Sequence, residues 1–143
     1  MPTDDRVKIL GIWRLLTFEL ESQATGERES VLGNDPMGYI MFSPEGRFMA
    51  VLTGGGRKAP KTDQDQADLM KSMCAYTGMC RFEGDRWITK VDVSWHPAWV
   101  GTEQVRSFRF DEDRLHVIGA WGPSVDRPER GMSRGILTFE RAK

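Results

Sequence analysis

The chain has 143 residues, 20 Lys+Arg against 21 Asp+Glu for a formal net charge of −1, and only two cysteines. That length suits a single domain, residues 1–143, with a core it can bury unaided. The composition excludes a disulfide scaffold, a disordered chain and a collagen-like repeat. The near-neutral balance offers no basic stripe for nucleic acid, so no nucleic-acid partner is expected.

Five Trp, seven Phe and eight Met stand out in a chain whose mean hydropathy is −0.47. Large, adaptable side chains in a polar chain suggest a lined interior. The first residues, Met1-Pro2-Thr3-Asp4-Asp5-Arg6, lack the charged-then-apolar order of a secretory signal, and no apolar run reaches membrane-span length. With Cys74 and Cys80 outside any CxxC pair, two reduced thiols, a cytoplasmic location and no membrane partner are expected.

In chain order, residues 4–10 suit one short helical turn, and period-two alternation over residues 11–20 predicts a first strand. Residues 22–37 form a polar connection. Residues 38–43 and 47–53 form a hairpin about Ser43-Pro44-Glu45-Gly46, where Pro presets φ and Gly takes the left-handed position. Gly54-Gly55-Gly56-Arg57-Lys58-Ala59-Pro60-Lys61 is no phosphate loop, because Pro60 removes an N–H where phosphate would need one; it reads as a flap near a pocket mouth. Thr62-Asp63 cap the one convincing helix, with Gln66, Ala67, Leu69, Met70 and Met73 as its stripe before Gly78. A meander follows over residues 76–83, 87–95, 103–111, 115–121 and 132–141. Eight strands in sequential antiparallel order predict an all-β, up-and-down barrel with one short inserted helix and room for one small ligand.

Trp13, Leu15 and Thr17 share one phase of the first strand, against Leu16, Phe18 and Leu20; Gly135, Leu137, Phe139 and Arg141 share a phase of the last. If these two strands close the barrel, Arg141 lies over Trp13 as a stacked plug at one end. The motifs Gly11-Ile12-Trp13-Arg14-Leu15, Gly38-Tyr39-Ile40, Ser43-Pro44-Glu45-Gly46-Arg47, Tyr76-Thr77-Gly78, His96-Pro97-Ala98-Trp99-Val100-Gly101-Thr102, Gln104-Val105-Arg106 and Leu137-Thr138-Phe139-Glu140-Arg141 span nearly the whole chain. On them the chain resembles the bacterial and fungal lipocalin-like domain family. The resemblance implies the calycin-type barrel; the activity has to be read from the residues.

Residues 87–95 allow two facings. One puts Trp87, Thr89, Val91, Val93 and Trp95 inside; the other puts Lys90, Asp92, Ser94 and His96 there as a polar ladder. On residues 103–111, Phe108 and Phe110 want the interior and carry Arg106 with them. An inward guanidinium needs a partner, either an internal carboxylate such as Asp92 or an anionic, enolic or carbonyl group on a ligand. Tyr39, Met49, Tyr76, Trp99, Trp121 and Phe108 are the expected apolar walls around Arg106. The leading expectation is therefore a binder of a small, largely hydrophobic molecule. The alternative is an enzyme using the same cavity for isomerisation, cyclisation or dehydration, with His96, Asp92 or Tyr76 as acid or base. A third reading is a packed barrel that acts by surface association or as a homodimer, through an apolar outer face on residues 38–53. Two His without ligand spacing predict no metal site, and no cofactor is expected.

Overall fold

Antiparallel ladders carry the chain round in sequence order until it meets itself. The structure, a computed structural model, describes residues 3–124 and 128–142; Met1, Pro2, Lys143 and the Val125-Asp126-Arg127 part of the expected 122–131 connection lie outside them. The strands are β1 (Gly11–Ser22), β2 (Arg28–Ser30), β3 (Met37–Phe42), β4 (Arg47–Thr53), β5 (Met73–Glu83), β6 (Arg86–Ser94), β7 (Glu103–Asp111), β8 (Arg114–Gly119), β9 (Gly122–Pro123) and β10 (Met132–Arg141). The helices are α1 (Thr3–Lys8) and α2 (Asp63–Lys71). β1 pairs with β3 on one side and β10 on the other, closing an eight-stranded barrel to which β2 and β9 add short ribbons.

The expected eight-stranded barrel with its inserted helix is what forms. The junction of α2 and β5 differs. Met73 opens β5 by pairing with Thr53, so it leaves the helical stripe, and α2 buries none of its residues. Capping holds that exposed helix: Thr62 Oγ1 accepts from Asp65 N–H at 3.0 Å, and Arg57 donates to the Leu69 carbonyl.

One end is sealed. Trp13 pairs with Arg141, whose guanidinium lies 3.9 Å from the indole centroid and donates to the carbonyls of Leu10 and Lys8. Trp13 Nε1–H donates to Ile9 O at 2.9 Å, so α1 and its following turn are tied across the floor. Burial holds the Arg141 guanidinium below its ordinary pKa. Ile9, Leu15, Phe42, Phe108 and Leu115 pack in the same buried core.

Two bulges reset which side chains face inward. In β1, Leu15 pairs with Phe139 and Thr17 with Thr138, leaving Leu16 as the extra residue. The phase flips there: Thr17, expected beside Trp13 and Leu15, is exposed, and Phe18 and Leu20 turn inward. In β6, Gly78 faces Val91 and Thr77 faces Val93, so Asp92 is extra. Trp87, Thr89 and Val91 are buried, as the first facing expects, but Val93 beyond the bulge is 62% exposed. Gly78 accommodates the distortion, since a Cβ there would stand 1.9 Å from the Lys90 carbonyl oxygen.

The outer face of the β3–β4 hairpin is apolar. Tyr39 pairs with Val51 and Met41 with Met49, beside Ile12 on β1 and Val93 on β6. Tyr39, Val51 and Met49 are 52%, 53% and 41% exposed.

Candidate functional cavity

Above the sealed floor the barrel holds an open-ended cavity of about 370 Å³, within the range of small-molecule sites. Its lower wall is aromatic and aliphatic: Phe48, Trp87, Val117, Leu137 and Phe139. Phe18 enters it through the β1 bulge. Trp95, Trp99 and Trp121 stand in the upper wall, and Lys71 at the end of α2 borders it. Two glycines make room on one side. A Cβ on Gly119 would fall 3.6 Å from Gly135 N, and one on Gly135 would fall 3.2 Å from the Phe18 ring. Both glycines line the cavity.

Arg106 is the polar centre. On β7 it pairs with Trp87 of β6 and Gly119 of β8, and the absence of a side chain at Gly119 leaves the guanidinium space. It donates to the Val105 carbonyl at 3.0 Å and lies 5.8 Å from the Trp99 ring centroid. Tyr76 stands edge-on to Trp99, centroids 5.0 Å apart, and packs on Phe48 at 5.4 Å. Burial pushes the Tyr76 phenol up to about 12, with the neighbouring Arg106 charge pulling the other way. At neutral pH this hydroxyl therefore keeps its proton.

The expected site residues divide between cavity and surface. Arg106, Tyr76, Trp99 and Trp121 line the cavity. Tyr39 and Met49 do not: they alternate with the inward Ile40, Phe48 and Ala50 and so fall on the outer face. Phe108 points inward but packs against Phe82, Trp87 and Phe110, one layer below the cavity. Asp92 lies on the outer face, out of phase with the buried Trp87, Thr89 and Val91, where Arg47 binds it in a two-pronged ion pair at 2.9 and 3.1 Å and holds its carboxyl below the usual range. That geometry removes Asp92 as the internal partner of Arg106 and removes the polar ladder with it. His96 caps the short Pro97–Trp99 turn, Nδ1 accepting from Ala98 N–H at 3.2 Å, and is not in the cavity wall. Of the three acid–base candidates, only Tyr76 reaches the interior.

Several lining residues escape the sequence reading. Trp87, inside in the first of the two facings, borders the cavity, and its indole N–H has no hydrogen-bond partner among the described residues. Phe18 is hidden by a bulge that alternation cannot reveal. Arg134 follows the inward Ser133 and stacks on Trp121 at 4.3 Å while pairing with Glu21 at 2.7 Å. This pair and the Arg28 hydrogen bond hold the Glu21 carboxyl low. Neither cysteine is in a disulfide; Cys74 borders the cavity and Cys80 lies along the same strand, its thiol pushed by burial up to about 12. Among the described residues no cluster of His, Cys, Asp or Glu is fit to hold a metal, and no helix is long and apolar enough to cross a membrane.

Comparison with known proteins places the whole barrel. The sequence model of a family described as a lipocalin-like domain matches residues 10–142. No curated protein matches the chain.

Proposed function

The chain belongs to the lipocalin-like domain family, and from that premise we propose that it binds a small, largely hydrophobic molecule inside the barrel. The observation that carries the reading is the cavity itself: about 370 Å³, walled mainly by aromatic and aliphatic side chains, with one inward guanidinium. Such a site takes affinity from apolar burial, roughly 25 cal/mol per Å², and orientation from a few polar groups. That Cys74 and Cys80 form no disulfide accords with a reducing, cytoplasmic setting. Titration with 1-naphthol, followed by tryptophan fluorescence and native mass spectrometry, tests the binding. A saturable change at one molecule per chain is expected; no saturable change with naphthol, decanol or decanoate would overturn the reading.

An acid–base enzyme on the same cavity would have to run on Tyr76, because His96 and Asp92 stand outside the wall. A phenol with its pKa near 12 donates a proton or a hydrogen bond but is a poor base at neutral pH. The placement of these groups favours binding.

The outer face of β3 and β4 favours a second role, a weak dimer with another copy of this chain. Ile12, Tyr39, Met49, Val51 and Val93 are the exposed apolar residues of this face, and clustered exposed apolar surface marks an interaction site. Two charge pairs border it within the chain, Arg47 with Asp92 and Arg14 with Glu140. Such a patch fits a weak, concentration-dependent contact. Sedimentation velocity over a concentration series should show dimer in the wild type and monomer in Val51→Lys; a wild type that stays monomeric throughout contradicts it.

A further inference from the structure

We infer that the ligand is a carboxylate: an apolar molecule whose single anionic group is seated inward, against Arg106, with its apolar body toward the mouth. The inference rests on the binding reading above and adds the chemical class.

Charge decides the class. The charged side chains in the cavity wall, among the described residues, are Lys71, Glu103, Arg106 and Arg134. Glu103 is held by Arg81 at 2.8 Å, and Arg134 by Glu21 at 2.7 Å. That leaves two positive groups, Lys71 at the exposed rim and Arg106 inside, with no described carboxylate within ion-pairing distance of Arg106. A partly buried guanidinium that spends one N–H on the Val105 carbonyl has others to give, and a carboxylate matches its planar fork.

The neighbour of Arg106 is a donor too: the Tyr76 hydroxyl is protonated beside it. Guanidinium and phenol together offer protons to an acceptor and supply no anion of their own. Depth fixes the orientation. The next inward residue on β7 toward the sealed end is Phe108, which lies in the packed layer below. The acceptor group therefore sits low in the cavity, and the Trp95, Trp99 and Trp121 walls surround the apolar remainder.

A matched pair of probes separates this inference from the reading beneath it. Decanoate and decanol share one alkyl chain and differ at the head group. Tryptophan fluorescence titrations should give the wild type about tenfold tighter binding of decanoate than of decanol. In Arg106→Met the preference should fall to near parity. If decanol and decanoate bind the wild type equally, or if the preference survives Arg106→Met, the carboxylate inference is wrong and the binding reading stands. If neither probe nor naphthol binds, both fall. The wild-type comparison needs no variant to fold, and 1-naphthoate against 1-naphthol repeats it for a ring in place of a chain.

Discussion

Single side chains here are governed by where burial leaves them a partner. Cys80 has little help: burial pushes its thiol from 9.0 up to about 12, opposed mainly by the Thr89 hydroxyl. The unfolded chain loses that proton first. The stability it contributes is whole below pH 9 and is lost as pH rises toward 12. Tyr76 behaves alike from 10.0 upward. Thermal unfolding between pH 8 and 11 should show Cys80→Ala delaying the alkaline loss until about pH 10; an unchanged profile contradicts it. Trp13 is the opposite case, with every group satisfied by Ile9, Arg141 and the core. Trp13→Ala should cost about 3–5 kcal/mol in denaturant unfolding, and a cost below 1 would contradict the plug. The Trp13–Arg141 contact was legible because both residues sit on strands whose closure their spacing predicts. The fate of His96 was not, because it depends on capping a three-residue turn that leaves no mark on the local hydrophobic pattern. Asp92 follows from alternation once Trp87, Thr89 and Val91 take the inner face.

Strand elements show where alternation stops being a guide. Period two assigns faces correctly up to the first extra residue and inverts them beyond it. Leu16 inverts β1, trading Thr17 for Phe18 and Leu20, and Asp92 inverts β6, turning Val93 outward. The β1 bulge moves the facing by one place, so that Phe18 rather than Thr17 lines the cavity. Deleting Leu16 leaves Thr17 opposite Thr138 and Phe18 opposite Leu137, so probe binding should persist; a deletion variant that no longer binds would show that Leu16 itself shapes the site. Gly78→Ala tests the other bulge: with the Lys90 oxygen 1.9 Å from the new Cβ, backbone must move, and a loss of about 2 kcal/mol or more is expected in unfolding. The β3–β4 hairpin, by contrast, was readable from Ser43-Pro44-Glu45-Gly46, because its register follows from the turn and meets no bulge.

As a whole the molecule is a barrel sealed at one end and hollow at the other. The aromatic and methionine excess that the composition shows divides accordingly. Trp13 and Phe108 fill the sealed end, Trp87, Trp95, Trp99 and Trp121 wall the hollow, and Met37, Met49 and Met79 lie exposed on the outside. Closure and strand number were legible because a meander of eight alternating runs has few other ways to bury its edges. The split between packed and hollow was not, since it turns on paired glycines at 119 and 135 and on the bulge in β1. The indole N–H signals of the five tryptophans read that split directly. In a two-dimensional NMR titration with decanoate, the signals of Trp87, Trp95, Trp99 and Trp121 should shift together and saturate, while Trp13, bonded to Ile9 beneath the floor, stays in place. Shifts that leave the four lining indoles unmoved, or that move Trp13 as much as the rest, would contradict a ligand inside the barrel.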